Sequence, residues 1–333
     1  MKYLVVGAGF SGATLARELA DAGHFVDVID RRDHVAGNAY DFVNEHGIRV
    51  HKYGAHLFHT NNRRVYDYLS RFTEWVDYRH RVKAMLEDGR LVTLPVNRET
   101  KEIVGSENIV DIFYRPYTRK MWGVDLEQLD PSIMQRVPVR DDMNELYFPD
   151  DAYQAMPRDG YSALVSRMLD HPNVACTTSC EFRTEYENDY DMVFNSMPID
   201  VYYDYRFGPL PYRSIKFEHA HLPVKRLLPV ATVNFTDHNP VTRMTEWKNI
   251  PEHDNGLPVT TITFETPCDY TENDYERYYP VKDVDGANRK RYQLYKDIPN
   301  EKVTFIGRCG MYVYIDMDQA VNSSLQLSER YKR

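Results

Sequence analysis

The first thirty residues constrain the fold of this chain more than any other segment. A short apolar run at residues 3–6 leads directly into the glycine pattern GAGFSG at residues 7–12. Apolar residues then recur at helical spacing up to Gly23, and a second apolar run at residues 25–29 is followed by Asp30. This order of strand, glycine turn, helix, strand and acidic residue is typical of the βαβ unit that binds a dinucleotide.

Each part of this unit has a chemical reason. Glycines allow a tight turn, a close approach of the backbone to a pyrophosphate, and close packing of the helix on the strand, while the helix N-terminus attracts the anion. We therefore expect Asp30 to bind a ribose hydroxyl. The turn residues expected to bind the cofactor are Gly7, Gly9, Phe10, Ser11 and Gly12. A purely structural βαβ turn is the alternative, and the unit by itself does not distinguish NAD from FAD.

A second turn of small residues follows the second strand. The segment RRDHVAGNAY occupies residues 31–40 and contains Ala36 and Gly37 shortly after the strand that would bind the ribose. Flavoproteins of the amine-oxidase type commonly have such a turn where the backbone approaches the flavin's phosphates, whereas the NAD dehydrogenase pattern does not require it. This turn therefore favours FAD, with Arg31, Gly37 and Asn38 as further cofactor-binding residues.

The composition excludes several classes of protein. A chain of 333 residues with 42% hydrophobic and 27% charged residues is typical of a soluble globular protein of roughly two domains. The net charge of −9, from 41 basic and 50 acidic residues, argues against a general nucleic-acid partner. Four cysteines are too few for a disulfide framework, and no apolar run is long enough to span a membrane. We expect a cytoplasmic protein with reduced thiols and neither a membrane nor a nucleic-acid partner.

Two groups of residues could suggest a metal, but neither has the spacing of a metal site. Cys176 and Cys180 lack a second Cys or His pair at matching spacing. Three histidines in residues 51–59 surround a glycine turn with no acidic residue among them. We therefore predict no metal. His56 is interpreted as a residue near the flavin, with a hydrogen-bonded structural histidine as the alternative.

The later segments indicate an α/β protein. Residues 81–94 predict a hairpin, residues 101–135 have helical spacing, and several runs within residues 200–300 alternate as in an antiparallel sheet. A buried strand at residues 303–307 precedes a helix at residues 316–327. We predict a Rossmann-like FAD-binding domain with a small helical domain and an antiparallel β-sheet domain.

Each large domain is predicted to combine separated segments of the chain. The FAD-binding domain is expected to comprise residues 1–72, 158–203 and 299–333. The sheet domain is expected to comprise residues 73–99, 137–157 and 204–298, of which the last is its main, substrate-binding segment. Residues 100–136 are expected to form a reduced helical domain that carries a lid.

A series of motifs occurs in a fixed order over most of the chain. They are VVGAGFSGA at 5–13, AGNAYD at 36–41, HKYGAHLFHT at 51–60, YTRKMWG at 117–123, QRVPVR at 135–140, YDYRFG at 203–208, LPYRSIKFE at 210–218, VNFTD at 233–237, TRMTEW at 242–247, YYPV at 278–281 and GRCGMYVYIDM at 307–317. Taken singly, only the tyrosine-rich motifs are specific. In this order they resemble the bacterial-type UDP-galactopyranose mutases.

The resemblance implies an isomerase that interconverts UDP-galactopyranose and UDP-galactofuranose. In the family picture the FAD must be reduced, flavin N5 forms a covalent adduct with the sugar while UDP leaves, and no net redox change occurs. The implied partners are the UDP-sugars and an external reductant such as NAD(P)H or a flavin reductase.

The resemblance also implies the residues that bind the diphosphate. A departing diphosphate concentrates negative charge, which guanidinium groups bind well, and tyrosine hydroxyls bind it without adding charge. The implied catalytic residues are Arg136 and Arg243 at the diphosphate, Arg308 beside flavin and substrate, and His56. The implied phosphate-binding tyrosines are Tyr147, Tyr279 and Tyr314. Surface ion pairing is the alternative for the arginines.

Further residues are implied around the uracil, the sugar and the flavin. Phe113 and Tyr117 match aromatic residues around uracil, and Trp122 matches a tryptophan that closes over the substrate. Core packing is the alternative for these aromatic residues. Additional substrate-binding candidates are Asn234, Glu265 and Asp316. The segment expected to close the flavin site contributes Gly307, Arg308, Tyr314, Asp316 and Met317.

The chain departs from the family in three places. Between residues 97 and 109 it is shorter than typical bacterial members, in a region that carries dimer contacts and the lid, so the oligomeric state is left open. Pro116 and Met197 stand where the family commonly has glycine. Two other functions also stay open: an FAD-dependent oxidoreductase of amine-oxidase-like fold, and a UDP-sugar-binding protein that has lost activity. The sequence leaves open whether the sugar is galactose or an N-acetylated variant.

Overall fold

A computed structural model of the protein describes residues 1–128 and 138–332. The strands, in chain order, are β1 (Lys2–Val6), β2 (Phe25–Ile29), β3 (Asp41–Val43), β4 (Arg49–His51), β5 (Phe58–Thr60), β6 (Trp75–Asp77), β7 (Val82–Met85), β8 (Leu91–Leu94), β9 (Tyr153–Pro157), β10 (Val174–Thr177), β11 (Met192–Asn195), β12 (Tyr212–Leu222), β13 (Thr232–Phe235), β14 (Arg243–Glu246), β15 (Thr260–Asp269), β16 (Tyr279–Pro280) and β17 (Val303–Phe305). The α-helices are α1 (Phe10–Asp21), α2 (Arg63–Leu69), α3 (Arg98–Val104), α4 (Arg115–Trp122), α5 (Tyr161–Leu169), α6 (Ile199–Tyr202), α7 (Ala287–Lys296), α8 (Gly307–Gly310) and α9 (Met317–Ser328).

A five-stranded parallel sheet in the order β10-β2-β1-β11-β17 contains the two strands of the glycine unit. β1 is central because residues 3–6 are apolar and buried on both faces of the sheet. Leu15 and Leu19 of α1 are fully buried, and α1 packs against α5 and α9. This arrangement confirms the predicted Rossmann-like fold.

Glycine is required at two positions where β1 passes into α1. Gly7 has a φ of +105°, a backbone conformation that residues with side chains rarely adopt. A Cβ atom on Gly12 would lie 1.9 Å from the carbonyl oxygen of Gly7. The helix can therefore pack on the strand at this distance only with glycine at position 12.

A second sheet has seven strands in the order β16-β12-β15-β14-β13-β7-β8. Its neighbours are antiparallel, as predicted, except for the parallel pair of β13 and β7. The predicted hairpin is present as β7 and β8. No tight turn joins β7 to β13, because most of the intervening chain folds elsewhere, so nothing local forces these two strands to be antiparallel.

The predicted helical region is divided into short pieces. Asn97 caps α3 with its side chain, which accepts a hydrogen bond from the Thr100 backbone N–H at 3.0 Å. A π-helical turn at Val110–Tyr114 directly precedes α4, whose second residue, Pro116, has no N–H to donate. α4 ends at Gly123 in the left-handed conformation. Residues 129–135 of the predicted helical stretch lie outside the described residues.

Smaller elements connect the two sheets. β3 and β4 form a hairpin, and β9 pairs with both β5 and β6 in a three-stranded sheet. Trp247, directly after β14, is fully buried and belongs to the same core as α1, so the two large sheets share apolar contacts.

The four cysteines are free thiols. Among the described helices, none combines the length and apolar character needed to cross a membrane. The domain boundaries stay a prediction.

Candidate functional site

A cavity of about 620 Å³ lies between the Rossmann-like part, the seven-stranded sheet and α4, a volume that suits a small-molecule ligand. The predicted site residues that line it are Asn38, His56, Phe113, Tyr117, Trp122, Tyr147, Asn234, Arg243, Glu265, Tyr279, Arg308, Tyr314, Asp316 and Met317. The fold thus brings together residues that are widely separated along the chain. Arg136 lies outside the described residues.

The predicted cofactor residues that do not line the cavity are Gly7, Gly9, Phe10, Ser11, Gly12, Asp30, Arg31, Gly37 and Gly307. Two of them show that the glycine turn and the second small-residue turn touch. A Cβ atom on Gly37 would lie 3.0 Å from the Cα atom of Gly9. The backbone N–H of Ala36 also donates to the Ala8 carbonyl at 2.9 Å. Together the two turns form a surface of bare backbone at the start of α1.

Asp30 and Arg31 are held by neighbouring groups. One carboxylate oxygen of Asp30 accepts from the Ala8 backbone N–H at 2.7 Å and the other from the Arg32 backbone N–H at 2.9 Å. Arg31 is half-exposed and donates to Glu276 at 2.6 Å. Asp30 thus stays beside the glycine turn, while Arg31 already has an acidic partner on another loop.

Asn38 connects the glycine turns with the cavity. It follows Gly37 in the chain, lines the cavity, and accepts a hydrogen bond from Arg32 at 2.9 Å. The side chain of Phe10 packs edge-on against buried Tyr161, so only its backbone is available to a ligand. A dinucleotide lying on the glycine turns would therefore reach the cavity past Asn38.

Arg243 and Glu265 form an ion pair in the cavity wall, in which Glu265 is buried and the Arg243 side chain is 30% exposed. They lie opposite each other on β14 and β15, with the Arg243 Nε atom 3.4 Å from the Glu265 Oε2 atom. Burial disfavours the charge of Arg243, but Glu265 and the nearby tyrosine hydroxyls together outweigh this and raise the pKa of Arg243. Burial raises the pKa of Glu265. A cationic group therefore faces the cavity with one adjacent carboxyl group.

Arg308 presents a second guanidinium to the cavity. Its terminal nitrogens donate to the carbonyl oxygens of Tyr278 at 2.9 Å and Ile315 at 2.8 Å. Its guanidinium also lies over the ring of Tyr314, 4.5 Å from the centroid. Within residues 1–128 and 138–332, Arg308 makes no ion pair, so its charge stays available to an anionic ligand.

Three predicted tyrosines meet near the two arginines. The rings of Tyr279 and Tyr314 stack with centroids 5.6 Å apart, and Tyr147 lies across the cavity on the segment that follows the undescribed residues. Burial raises the pKa of Tyr147 and of Tyr279 above the ordinary tyrosine value. Both hydroxyls are therefore neutral hydrogen-bond donors at physiological pH.

His56 is half-buried in the loop that follows β4. Its Nδ1 atom lies 2.9 Å from the Gly54 carbonyl oxygen, which requires a proton on Nδ1, and its backbone N–H donates to His51 Nδ1 at 3.1 Å. Burial lowers the pKa of His56 to about 4. A neutral imidazole with a lone pair on Nε2 therefore faces the cavity. The geometry fits both the predicted role and the structural alternative.

Aromatic residues of the π-helical turn and α4 form one wall. Tyr117 and Trp122 line the cavity, and so does Phe113, which also packs against the core of the β7–β8 hairpin. Both readings of Phe113, as a ligand contact and as a core residue, are thus compatible with its position.

Asn234 and Asp316 differ in whether their side-chain oxygens have hydrogen-bond partners. The Asn234 Oδ1 atom is buried and has no hydrogen-bond partner among the described residues. Asp316 caps α9 together with Gln319. A buried amide oxygen without a donor favours a ligand hydroxyl at this point, because an unsatisfied buried acceptor is costly.

Several cavity residues were missed by the sequence reasoning. His80 is buried, contacts the Tyr78 hydroxyl at 3.0 Å through Nδ1, and has a pKa lowered to about 3 by burial and by nearby Arg243. Phe217 and Tyr53 also line the cavity. Tyr53 and Phe217 lie within the ordered motifs at 51–60 and 210–218, which could have indicated them, whereas His80 lies in none of the motifs and is brought to the cavity by the fold alone.

Comparisons with known proteins agree with this geometry. A family model described as UDP-galactopyranose mutase matches residues 112–314, and one described as an NAD(P)-binding Rossmann-like domain matches residues 5–72. The chain is 32% identical to a UDP-galactopyranose mutase from Mycoplasma pneumoniae, covering 98% of this chain and 95% of that protein. It is also 32% identical to a dTDP-fucopyranose mutase from Escherichia coli, covering 99% of this chain and 98% of that protein.

Solved structures show the same fold. A crystal structure of a reduced UDP-galactopyranose mutase superposes with a TM-score of 0.75 at 15% identity and covers 99% of this chain and 93% of that one. A putrescine oxidase bound to putrescine superposes with a TM-score of 0.60 at 12% identity, covering 99% of each chain. The fold is therefore shared by flavoenzymes that differ in chemistry, and the residues of the cavity must distinguish among them.

Proposed function

The chain belongs to the UDP-galactopyranose mutase family, and we propose that it interconverts UDP-galactopyranose and UDP-galactofuranose on reduced FAD without net redox change. The observation that carries this proposal is a single cavity that holds two guanidinium groups and a set of tyrosines together with Asn38, the residue that follows the second glycine turn. An amine oxidase has no need of such an anion site, whereas a nucleotide diphosphate does.

The residues at the start of α1 fit FAD. Gly7, Gly9 and Gly12 with Gly37 would accept the pyrophosphate on bare backbone, and Asp30 would accept a ribose hydroxyl. Next to the cavity, Asn38, Arg308 and Met317 would border the flavin. When bound and reduced, FAD would supply the nucleophile for the anomeric carbon.

The two arginines would hold the diphosphate and stabilise the charge that develops as UDP leaves. Arg308 has no competing carboxylate within the described part, whereas Arg243 shares its charge with Glu265. The hydroxyls of Tyr147, Tyr279 and Tyr314 would add neutral donors, which support binding without making release too slow. Arg136 is proposed as a third cation on the strength of the family motif alone.

The remaining polar and aromatic residues would orient the sugar and the base. The unpartnered Oδ1 atom of Asn234 would accept a hydrogen bond from a sugar or ribose hydroxyl. Tyr117 and Phe113 would contact the uracil ring, and Trp122 would cover the substrate. The neutral His56 imidazole would offer an acceptor at Nε2 beside the flavin.

The relative that acts on dTDP-fucopyranose supports a second candidate substrate. Its identity to this chain equals that of the UDP-galactopyranose mutase relative, 32% in both cases. A dTDP-sugar would use the same diphosphate groups but would differ at the base, the ribose and the sugar C6 position. Both nucleotide sugars should therefore be assayed side by side.

The decisive experiment compares reduced and oxidised enzyme. The purified protein should be yellow, and with dithionite it should convert UDP-galactofuranose to UDP-galactopyranose, followed by chromatography of the nucleotide sugars. Equal turnover with oxidised flavin would refute the proposal. Stoichiometric substrate oxidation would favour the oxidoreductase, and tight UDP binding without conversion would favour a binding protein.

The setting of the reaction is proposed on the same basis. NAD(P)H or a flavin reductase would keep the flavin reduced, and the reaction would take place in the cytoplasm, in keeping with four free cysteine thiols.

A further inference from the structure

Two histidines and a glutamate meet on the surface, outside the lining of the cavity. Glu45 and His46 lie in the turn between β3 and β4, and His221 lies near the end of β12. One ligand atom from each of the three residues lies within 4.8 Å of the other two. None of them lines the cavity described above. The sequence analysis did not predict this cluster, because His221 lies 175 positions after His46 in the chain.

The two closest atoms already have the separation of neighbouring metal ligands. His221 Nε2 lies 3.1 Å from Glu45 Oε1, and His46 Nε2 lies 3.8 Å from the same oxygen. Two ligands at about 2.0–2.1 Å from a zinc ion in tetrahedral geometry are roughly 3.3 Å apart. The His46 Nε2 atom would therefore have to approach Glu45 Oε1 more closely when an ion binds.

A threonine fixes the orientation of His221. The Nδ1 atom of His221 lies 3.0 Å from the Thr261 hydroxyl on the neighbouring strand β15. When Nδ1 donates its proton to that hydroxyl, the lone pair of Nε2 points to the cluster. Metal-binding histidines commonly have such an outer partner for the second ring nitrogen, because it fixes the tautomer and the ring.

The turn that carries the other two ligands is anchored independently of them. The Asn44 side-chain amide donates to the same Thr261 hydroxyl at 2.9 Å, and the Asn255 side chain donates to the His46 carbonyl oxygen. The Asn44 side-chain oxygen also accepts from the backbone N–H groups of His46 and Ile48. The three ligands are thus brought together by contacts that do not depend on a metal ion.

We propose that Glu45, His46 and His221 bind one divalent transition-metal ion of the zinc class, with water in the remaining position. Two imidazoles and one carboxylate are ligands that zinc accepts readily. The ion would join the β3–β4 turn of the Rossmann-like part to strand β12 of the seven-stranded sheet. Because the cluster lies outside the cavity, we expect the ion to stabilise the fold rather than take part in the reaction.

The test measures zinc binding to the flavin-bound protein after metal removal with a chelator. Titration calorimetry with zinc chloride should give one site per chain, and zinc should raise the melting temperature. His221→Gln and His46→Gln should each weaken zinc binding by more than about tenfold and abolish the rise. Flavin absorbance and mutase activity of both variants should stay at the level of the original chain, which separates this test from that of the proposed function.

His171 provides a matched control. It is also a histidine beside a carboxylate, with Nε2 3.6 Å from Asp21 Oδ1, but no second histidine belongs to that pair among the described residues. His171→Gln should therefore leave zinc affinity unchanged. The proposal is wrong if the original chain binds no zinc, if His221→Gln binds zinc as tightly as the original chain, or if His171→Gln weakens binding equally.

Discussion

At the scale of single residues, the ion pair between Arg243 and the buried carboxyl group of Glu265 links ligand binding to stability. The two side chains face each other across neighbouring strands, and each compensates part of the burial of the other. Breaking a buried ion pair by removing one partner is strongly destabilising, because the other charge stays behind without compensation. A substitution here therefore affects both stability and ligand binding, and an experiment must separate the two.

We expect Arg243→Ala to lower turnover by at least about a hundredfold, because it removes a cation that would stabilise the leaving diphosphate. The purified variant should stay yellow, since Arg243 does not touch the glycine turns. Steady-state kinetics under reducing conditions and a visible spectrum measure both effects.

The double variant Arg243→Ala, Glu265→Gln is the control for stability. It should unfold at a higher denaturant concentration than Arg243→Ala alone, because no uncompensated carboxylate is left, yet remain as inactive. Loss of flavin from Arg243→Ala, or recovery of activity in the double variant, would contradict the assignment of Arg243 to the diphosphate.

At the scale of elements, helix α4 is held against the sheet by unusually specific contacts. Lys120 is almost fully buried and donates to the carbonyl oxygens of Phe235 at 3.1 Å and Val241 at 2.9 Å, and to Asp237 at 3.1 Å. Arg213 of β12 donates to the Met121 carbonyl at the end of the helix, at 2.7 Å. These contacts fix the helix that presents Tyr117 and Trp122 to the cavity.

Lys120→Met should therefore raise the KM for the nucleotide sugar by about tenfold, because a small displacement of α4 moves the aromatic wall, while kcat changes less. Arg119→Ala is the matched control on the same helix, since the one ion pair of Arg119 within the described part of the chain is an exposed pair with Asp125. Equal KM values for the two variants would show that the buried ammonium does not position the helix.

The start of α1 makes a second prediction at this scale. In Gly12→Ala the added methyl group would collide with the Gly7 carbonyl oxygen, so α1 must move away from β1 and the pyrophosphate surface is lost. We expect the variant to be purified without most of its flavin, as seen in the ratio of visible to ultraviolet absorbance.

Gly89→Asn serves as the comparison. Gly89 has a φ of +85° but lies in open space in the β7–β8 turn, and asparagine tolerates this conformation. This variant should keep its flavin. If Gly12→Ala also kept a full complement of flavin, the glycine turn would not be the pyrophosphate site.

At the scale of the whole molecule, buried histidines connect its parts. His51 at the end of β4 and His253 after β14 are both buried, with their Nε2 atoms 3.1 Å apart. Burial lowers the pKa of His51 well below its ordinary value and that of His253 to about 4. With His56 and His80, four histidines are thus neutral in the folded protein across the physiological range.

These histidines predict a loss of stability in mild acid. The unfolded chain takes up their protons near pH 6.5, whereas the folded protein does not, so the free energy of unfolding falls as the pH drops from about 7 to about 5. Each such histidine contributes up to about 1.4 kcal/mol per pH unit in this window, and we expect a total loss of at least about 2 kcal/mol. Urea unfolding at several pH values measures it.

His253→Gln is the internal control. A glutamine amide can both donate and accept a hydrogen bond, as the imidazole ring does, but it does not titrate. Its stability should depend less on pH than that of the original chain. A free energy of unfolding that stays constant or rises on acidification would show that the buried histidines are not kept neutral by the fold.

The βαβ unit, the functional glycines and the family could all be predicted from the sequence. The βαβ unit and its glycines depend on contacts between near neighbours in the chain, and the family depends on ordered motifs. The sequence also indicated most of the cavity residues through the family resemblance, including Arg243, Tyr279 and Asn234. Pairs of polar groups that are far apart in the chain became visible in the folded structure alone. They are Arg243 with Glu265, Lys120 with Asp237, His51 with His253, and Glu45 with His221. Strand register and parallel pairing such as that of β7 with β13 have no local signal, since they depend on how distant segments pack together.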